Sequence, residues 1–279
     1  MDLSPLHEAL FAGDDEIERG FPDEELECGS KRVKPGHPVD ESEFDPNFLL
    51  FLKEYHPKFT PNMINAMKKL VKFNIDLTAE ELNLLSTAYK KVIEPKRESW
   101  KLLSKTEQEE DTIYKDETYI KCIQDYRNIV ESDLANICYN VITLIDDHLL
   151  PFASSTESSV FYLKMKADYY RYMAEIKTGD EKTLVAEESL KTYKEAMAIA
   201  GVQFSPIHPT RLGLALNFAV FNYEVLNSYQ RAYQLAKNAF DDAMLELDDL
   251  GSKAYSKDIK VILNLLRDNF TLWKSENDR

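Results

Sequence analysis

Apolar residues recur at steps of three and four along most of this chain, which is the spacing of amphipathic α-helices. Short breaks rich in proline or polar residues interrupt the pattern at intervals. No stretch of alternating β-branched residues is present, and only 8 of the 279 residues are glycine. The pattern therefore predicts an all-α protein of about nine antiparallel helices, which cover approximately residues 47–55, 62–73, 78–105, 117–149, 157–177, 181–200, 210–227, 230–250 and 256–273.

Several predicted helices carry recognisable end signals. Thr78 and Glu81 have the spacing of a capping box, Pro61 suits a first helical turn, and Pro151 ends the helix that begins near Glu117. Connections as short as these place consecutive helices side by side and antiparallel. We therefore expect an open layered array of helices rather than a closed bundle.

One predicted helix has charged side chains along a single face. Lys164, Asp168, Tyr172 and Glu175 follow one another at steps of four, four and three, and Arg171 lies one turn before Glu175. Taken alone, this pattern is typical of a solvated face with salt bridges of about 0.5 kcal/mol each. The alternative is an anion site, because acids in these positions can hold arginine and lysine donors in a fork that suits a phosphate dianion.

Two other helices carry apolar stripes that contain an amide. Leu212, Leu216 and Val220 lie at steps of four, with Asn217 and Glu224 beside them. Ordinary core packing explains any single leucine of this kind, whereas an amide within the stripe is costly to bury without a hydrogen-bond partner. The last helix has a similar stripe, which consists of Val261, Ile262, Leu265, Asn269, Leu272 and Trp273.

Composition and cysteine usage narrow the class of protein. The net charge of −15 disfavours nucleic acid or an acidic membrane surface as a partner. Of the three cysteines, Cys28, Cys122 and Cys138, the last two lie on apolar stripes and are predicted to be buried thiols of a reducing compartment. No apolar run reaches the ~20 residues that span a bilayer, and no secretory signal is recognisable. We expect a cytoplasmic location, with access to the nucleus.

The charge is concentrated at the N-terminus. Residues 1–46 hold 14 acidic and 4 basic side chains, a net charge of −10, together with 5 of the 11 prolines. This predicts an acidic extension over residues 1–45 and a helical domain over residues 46–279. The opening Ser4-Pro5-Leu6-His7 indicates a short amphipathic helix or, as an alternative, a relic of an ankyrin repeat.

No catalytic motif is recognisable. The five histidines are scattered, and the sequence has no H-E-x-x-H, no G-x-S-x-G and no glycine-rich phosphate loop. We therefore expect no enzymatic activity, no metal site and no cofactor.

Four sequence runs resemble the 14-3-3 proteins, and they occur in the family's order. They are Asn83-Leu-Leu-Ser-Thr-Ala-Tyr-Lys90, the segment from Tyr162 to Tyr172, the segment from His208 to Phe218, and the segment from Leu265 to Trp273. The resemblance extends over residues 76–273. Recognition of phosphorylated motifs by arginine clusters is a known property of this family.

The resemblance implies a curved helical layer with a concave groove, and a function as an adaptor that binds phosphoserine or phosphothreonine peptides and regulates client proteins. Lys90, Arg97, Arg171 and Tyr172 would hold the phosphate. Lys164 would reach the peptide backbone, and two asparagines would clamp its main chain. The groove residues implied in this way are Lys164, Asn217, Glu224, Leu216, Val220, Ile262, Leu265, Asn269, Leu272 and Trp273.

Some positions depart from the family pattern. Pro95 and Glu94 lie between the two cations Lys90 and Arg97, and a proline there is expected to kink the helix or break one turn. These departures favour the alternative function, a helical scaffold that binds partners without phosphorylation.

Other departures concern association between copies. The family pairs through its first helical hairpin, which packs on the third and fourth helices of the partner with ion pairs. Charged residues usual in that contact are replaced by Phe59, Asn62 and Ile129, although Asp133 keeps its acid. We expect a homodimer with a weakened or altered interface.

Overall fold

Eight α-helices account for most of the described chain, which comprises residues 60–113, 117–250 and 256–277 of a computed structural model. The predicted helix at 47–55, the extension 1–45, Cys28 and Phe59 lie outside these residues, as does the side chain of Asn62. No strand occurs within the described ranges. The helices are α1 (Thr60–Val71), α2 (Ala79–Ile113), α3 (Glu117–Leu144), α4 (Thr156–Ile176), α5 (Gly179–Gln203), α6 (Pro209–Glu224), α7 (Tyr229–Leu250) and α8 (Lys257–Asn277).

Consecutive helices pack against one another from α1 through α8, and α6 also contacts α4 and α8. This is the arrangement expected of an antiparallel layer, and the all-α prediction is confirmed. These helices belong to one compact unit, Thr60–Arg279. None of the described helices is both long enough and apolar enough to cross a membrane.

The capping box predicted for α2 is confirmed. The backbone N–H of Thr78 donates to Glu81 Oε2 at 2.7 Å, and the backbone N–H of Glu81 donates to Thr78 Oγ1 at 3.3 Å. These reciprocal bonds satisfy backbone donors that have no partner within the first helical turn. They set the start of α2 and therefore the positions of Lys90 and Arg97 farther along it.

Pro95 does not interrupt its helix. The helix α2 runs without interruption through this residue, so the prediction of a broken turn is wrong. Proline still removes one backbone donor from the helix interior. The hydroxyl of Ser99 donates to the carbonyl oxygen of Pro95 at 2.8 Å, a local contact one turn farther along.

The end of α3 departs from regular α-geometry. The segment Ile145–Leu149 forms a π-turn and Leu150–Phe152 a 3₁₀-turn, where the sequence pattern predicted a single helix to residue 149. Both Ile145 and Leu149 remain buried through this change of winding. The looser turn thus keeps the apolar face of α3 in contact with the core up to Pro151.

Cys122 is exposed, and the prediction that it is buried is wrong, whereas Cys138 is buried as expected. The buried face of α3 passes through Ile123, Val130 and Leu134 before it reaches Cys138. Cys122 precedes Ile123 by one residue and is therefore rotated by about 100° from that face.

Helices α4, α5 and α6 share a buried cluster that contains several small side chains. Tyr193 of α5 stacks on Phe218 of α6 with ring centroids 5.2 Å apart, and Ser189 of α5 donates to the carbonyl oxygen of Ala167 at 3.0 Å. The buried cluster consists of Val160, Leu163, Ala167, Ala174, Ala186, Tyr193, Ala196, Ala200, Leu214, Phe218, Phe221 and Val225. Because this cluster underlies α4 and α6, it fixes the relative positions of the polar side chains on them.

Candidate functional site

Two arginines from different helices meet on one carboxylate. Arg97 of α2 donates to Glu175 of α4 through Nε at 3.0 Å and through Nη2 at 2.7 Å. Arg171 of α4 donates to the same carboxylate through Nη1 at 3.2 Å. The buried carboxylate between the two arginines reduces the repulsion between their positive charges. Their attraction to it in turn offsets the free-energy cost of burying the carboxylate. The two arginines keep the pKa of Glu175 below its usual range, although burial alone would raise it.

The phenol ring of Tyr172 lies against both guanidinium groups. The Cζ atom of Arg97 is 4.0 Å from the ring centroid, and that of Arg171 is 4.6 Å from it. Contact with the ring face is attractive for a cation and keeps the planar guanidinium from turning freely. Burial raises the pKa of the Tyr172 hydroxyl to about 12, so this group is a hydrogen-bond donor at neutral pH.

Glu224 of α6 approaches the same pair from a third helix. Its Oε2 atom lies 3.5 Å from Nη1 of Arg171, and its side chain is 27% exposed against 1% for that arginine. Burial raises the pKa of Glu224, and the nearby carboxylate of Glu175 adds to this effect. Both acids contact Arg171 through its Nη1 atom, so neither of them occupies its Nε or Nη2 donors.

Lys90 of α2 carries a partly buried amine with charged side chains of both signs nearby. Burial, together with the positive charge of Lys164, lowers the pKa of Lys90 to about 7. The carboxylates of Asp168 and Glu94 act in the opposite direction, and Arg171 again lowers it. An anion bound near this amine would stabilise its protonated form and so raise its pKa.

Asp168 is a buried hub that connects three helices. It accepts hydrogen bonds from Lys164 Nζ at 3.0 Å, from Asn217 Nδ2 at 2.9 Å, and from the hydroxyl of Tyr193. Burial alone would raise the pKa of the Asp168 carboxyl, but Lys164, Arg171 and the bond from Tyr193 lower it to about 2. The carboxylate therefore stays charged and fixes the rotamers of Lys164 and Asn217.

The alternative of a solvated charged face does not hold for this part of α4. Asp168 is 5% exposed and Tyr172 is 2% exposed, so both belong to the interior side of the helix. Asp168 is hydrogen-bonded to side chains of α5 and α6, and the ring of Tyr172 contacts Arg97 of α2.

Most of the apolar positions singled out in the sequence are well packed. Helices α6 and α8 are in contact, and Trp273 of α8 stacks on Tyr223 of α6 with ring centroids 5.0 Å apart. The Nε1 atom of Trp273 is buried without a hydrogen-bond partner among the described residues. Val220 and Leu272 are half-buried, whereas the buried members of the set are Leu216, Asn217, Ile262, Leu265, Asn269 and Trp273.

A cavity of about 230 Å³ opens beside the paired arginines. Glu175 and Glu224 contribute carboxylates to its wall, and Lys101 and Lys182 contribute amines. Its remaining lining residues are Trp100, Ala174 and Val225. The cavity therefore has charged groups of both signs and apolar groups in its wall, and its two carboxylates are the ones that contact Arg171.

Sequence reasoning missed three residues of this region. Tyr193 holds Asp168 from the neighbouring helix, and Lys101 and Lys182 line the cavity. Lys101 follows Arg97 by four positions, a signal that helical spacing would have given. No pattern in the sequence connects Tyr193 with Asp168, because they lie 25 positions apart on different helices.

The described residues contain no group of three histidine, cysteine, aspartate or glutamate side chains arranged to hold a metal ion. The donors that converge are arginines, a lysine and a tyrosine, and they lie among the carboxylates of Glu175, Glu224 and Asp168. Donors of this kind suit an anionic ligand.

Two kinds of sequence comparison agree on the family of this chain. A profile of the 14-3-3 protein family matches residues 56–274. The chain is 52% identical to the 14-3-3-like protein GF14 omicron of Arabidopsis thaliana over 229 residues, which cover 82% of this chain and 90% of that protein. It is 53% identical to 14-3-3 protein 8 of Solanum lycopersicum over 214 residues, covering 77% and 81% of the two chains. The chain therefore belongs to the 14-3-3 family of non-catalytic adaptors, which bind phosphorylated peptides of client proteins.

Proposed function

We propose that Lys90, Arg97, Arg171 and Tyr172 bind the phosphate group of a phosphoserine or phosphothreonine in the client protein. The observation that carries this proposal is the meeting of Arg97 and Arg171 on Glu175, with 2.7 and 3.2 Å between Oε1 and their donor nitrogens. A phosphate carries about −1.5 to −2 charges and three acceptor oxygens, which need several converging donors. Glu175 orients these donors in advance and so reduces the entropy cost of binding.

The peptide that carries the phosphate is proposed to run between α6 and α8. Asn217, held by Asp168, and Asn269 would clamp its main chain, and Lys164 would contact its backbone. Trp273 contributes a buried indole N–H with no hydrogen-bond partner among the described residues. Glu224 borders this path, and the apolar support consists of Leu216, Val220, Ile262, Leu265, Leu272 and Trp273.

A binding titration tests the phosphate site. We expect a fluorescent phosphopeptide to bind the intact protein at least 30-fold more tightly than its unphosphorylated twin, because a desolvated charge pair contributes about 2–5 kcal/mol. Arg97→Ala and Arg171→Lys should each remove most of this preference. The matched control is Arg231→Ala on the exposed face of α7, which should leave the preference unchanged.

The result that contradicts the proposal is equal phosphopeptide affinity in the intact protein, Arg97→Ala and Arg171→Lys. Thermal unfolding of each variant separates loss of binding from loss of fold. Arg171→Lys retains the charge at a fully buried position and lacks only the planar fork.

Members of this family dimerise, and we propose that this chain forms a homodimer through a weakened or altered interface. Two features of α2 and α3 support this. Lys96 Nζ contacts Asp133 Oδ2 at 2.6 Å within the chain, which engages an acid that the family uses between chains. Leu102, Tyr126 and Ile129 expose more than half of their surface and offer apolar contacts in place of ion pairs.

Sedimentation equilibrium at micromolar concentration measures this association. We expect a dimer that dissociates more readily than those of the family's typical members, and Ile129→Lys should change its dissociation constant. A tight dimer that is insensitive to Ile129→Lys contradicts an interface at this position.

We propose that the protein is located in the cytoplasm, with access to the nucleus. We also propose that its partners are phosphorylated proteins rather than nucleic acid or membrane, because its net charge of −15 would repel both of these.

A further inference from the structure

The connection between α5 and α6 carries an exposed serine that is followed directly by a proline. Ser205 lies between Gln203, the last residue of α5, and Pro209, the first residue of α6, in a stretch without helical structure. Its successor, Pro206, favours an extended backbone at Ser205. Exposed connections of this kind are the parts of a folded chain that other enzymes reach most easily. The connection therefore presents a serine hydroxyl that a modifying enzyme can bind.

The sequence contains two other pairs in which a serine or threonine precedes a proline, Ser4-Pro5 and Thr60-Pro61. The first pair lies outside the described residues, and Thr60 is already the first residue of α1. Within the described ranges, Ser205-Pro206 is therefore the one such pair that lies outside a helix.

The hydroxyl of Ser205 is held by an acid of another helix. Its Oγ atom donates to Oε2 of Glu246 in α7 at 3.0 Å, and the backbone N–H of Ile207 donates to the same oxygen at 3.3 Å. That N–H also lies 3.3 Å from Ser205 Oγ. These contacts fasten the connection to α7, and they require Ser205 to donate a hydrogen bond.

A cation of α6 lies beside the residue that precedes this serine. Arg211 Nη1 donates to the carbonyl oxygen of Phe204 at 2.7 Å. A phosphate on Ser205 would carry about −1.5 to −2 charges, and as a dianion it has no proton to donate to Glu246. The carboxylate would repel it, whereas a guanidinium forms charge-assisted hydrogen bonds with phosphate. Phosphorylation would thus remove the contact with α7 and give the new charge a partner in α6.

We propose that Ser205 is a phosphorylation site for a proline-directed protein kinase, and that its phosphorylation releases the connection from Glu246. In this step the hydroxyl oxygen of Ser205 attacks the γ-phosphorus of ATP. The bond between that phosphorus and the β,γ-bridging oxygen breaks, ADP leaves, and the hydroxyl proton passes to a base of the kinase.

The test of the modification uses the full-length protein, ATP and a purified mitogen-activated protein kinase, and mass spectrometry locates the phosphate. We expect Ser205 to be phosphorylated in the intact protein, and Pro206→Ala to slow its phosphorylation at least tenfold. Ser228 is the internal control, because it lies in the next connection and precedes a tyrosine, so it should stay unmodified. A peptide spanning residues 200–211 receives the same treatment.

Hydrogen exchange tests the release from α7. The amide of Ile207 loses its bond to Glu246 in the released form, so a fragment containing residues 204–208 should exchange at least threefold faster after phosphorylation. In Glu246→Gln the repelling charge is absent, and phosphorylation should accelerate exchange much less. The matched control is Glu187→Gln, which removes an exposed acid of α5 and should respond as the intact protein does.

Absence of phosphate at Ser205 in the intact protein overturns the modification site. Phosphorylation of the peptide alone would then mean that the folded connection is inaccessible, and failure of both would mean that this sequence is no substrate. An equal rate in Pro206→Ala contradicts a proline-directed kinase. Exchange that is unchanged by phosphorylation, or accelerated equally in Glu246→Gln, overturns the release from α7.

Discussion

Arg97 and Glu175 are 78 positions apart in the sequence, and their side chains form a two-pronged ion pair that joins α2 to α4. Glu175 also contacts Arg171, so one carboxylate pairs with two buried guanidinium groups. A charge that loses such a partner in the interior remains unpaired and poorly solvated.

We therefore expect Glu175→Ala to lower the free energy of unfolding by about 3–5 kcal/mol. Urea denaturation followed by circular dichroism measures this change. The matched control is Glu181→Ala, which removes an exposed acid that also pairs with a cation one turn away, and which should leave the unfolding midpoint nearly unchanged. Similar midpoints for the two variants would show that Glu175 does not stabilise the fold in this way.

The buried carboxyl of Asp168 should make stability dependent on acid pH. Its pKa of about 2 in the folded chain lies below the value of about 3.9 for an unfolded aspartate. The stabilisation is therefore fully present above about pH 4 to 5 and is lost as the pH falls towards 2, with a total of roughly 2 kcal/mol.

In Asp168→Asn this contribution is absent, so its free energy of unfolding should fall less steeply between pH 5 and pH 2.5 than that of the intact protein. Urea titrations at several pH values in this range provide both curves. Parallel curves would mean that the acid dependence arises from other carboxylates.

Because of Lys90, the affinity for phosphopeptides should fall as the pH rises above neutrality. Its pKa of about 7 means that the free protein loses this positive charge as the pH rises through neutrality. The phosphate is already a dianion there, because its second pKa is about 6. We expect the affinity to fall about tenfold between pH 7 and pH 9, and Lys90→Arg to remove the fall, since arginine stays charged. An affinity of the intact protein that is constant over this range would contradict a role for Lys90.

Residues 1–45 are expected to compete with the phosphopeptide for the basic residues of the site. The first 46 residues carry a net charge of −10, and tethering gives such a segment an effective concentration that approaches the millimolar range. Deleting residues 1–45 should raise phosphopeptide affinity, and the gain should shrink with added salt. Unchanged affinity at low salt after the deletion would show that the acidic residues serve another purpose, such as solubility.

Local signals predicted much of this fold. The Thr78–Glu81 capping box and Pro61 gave the starts of α2 and α1 within two residues, because backbone hydrogen bonds at helix starts depend on nearby side chains. The end of α2 was predicted near residue 105, and the helix continues to Ile113. The face of Cys122 was misjudged for a different reason. Apolar residues surround that part of α3, and Tyr126 and Ile129 share its exposed side, so periodicity alone did not fix the phase.

The candidate site depended on relationships between distant segments. The residues Lys90, Arg97, Arg171 and Tyr172 were recognised from family resemblance, and the structure brings Arg97, Arg171 and Tyr172 into contact. The bonds from Tyr193 and Asn217 to Asp168 could not be predicted, because they depend on how α4, α5 and α6 pack. Nothing in the described residues or the family comparison favours binding that is independent of phosphorylation.

The internal pairing of Arg97 and Arg171 with Glu175 also affects the binding and dissociation of client proteins. Because both arginines already contact acidic side chains of the protein itself, the domain does not need a bound anion to hold them in place. The arrival or departure of a phosphorylated partner then requires no refolding of this region. Exchange between competing clients is set by how fast each one dissociates, and a kinase or phosphatase acting on the client controls occupancy without altering the adaptor itself.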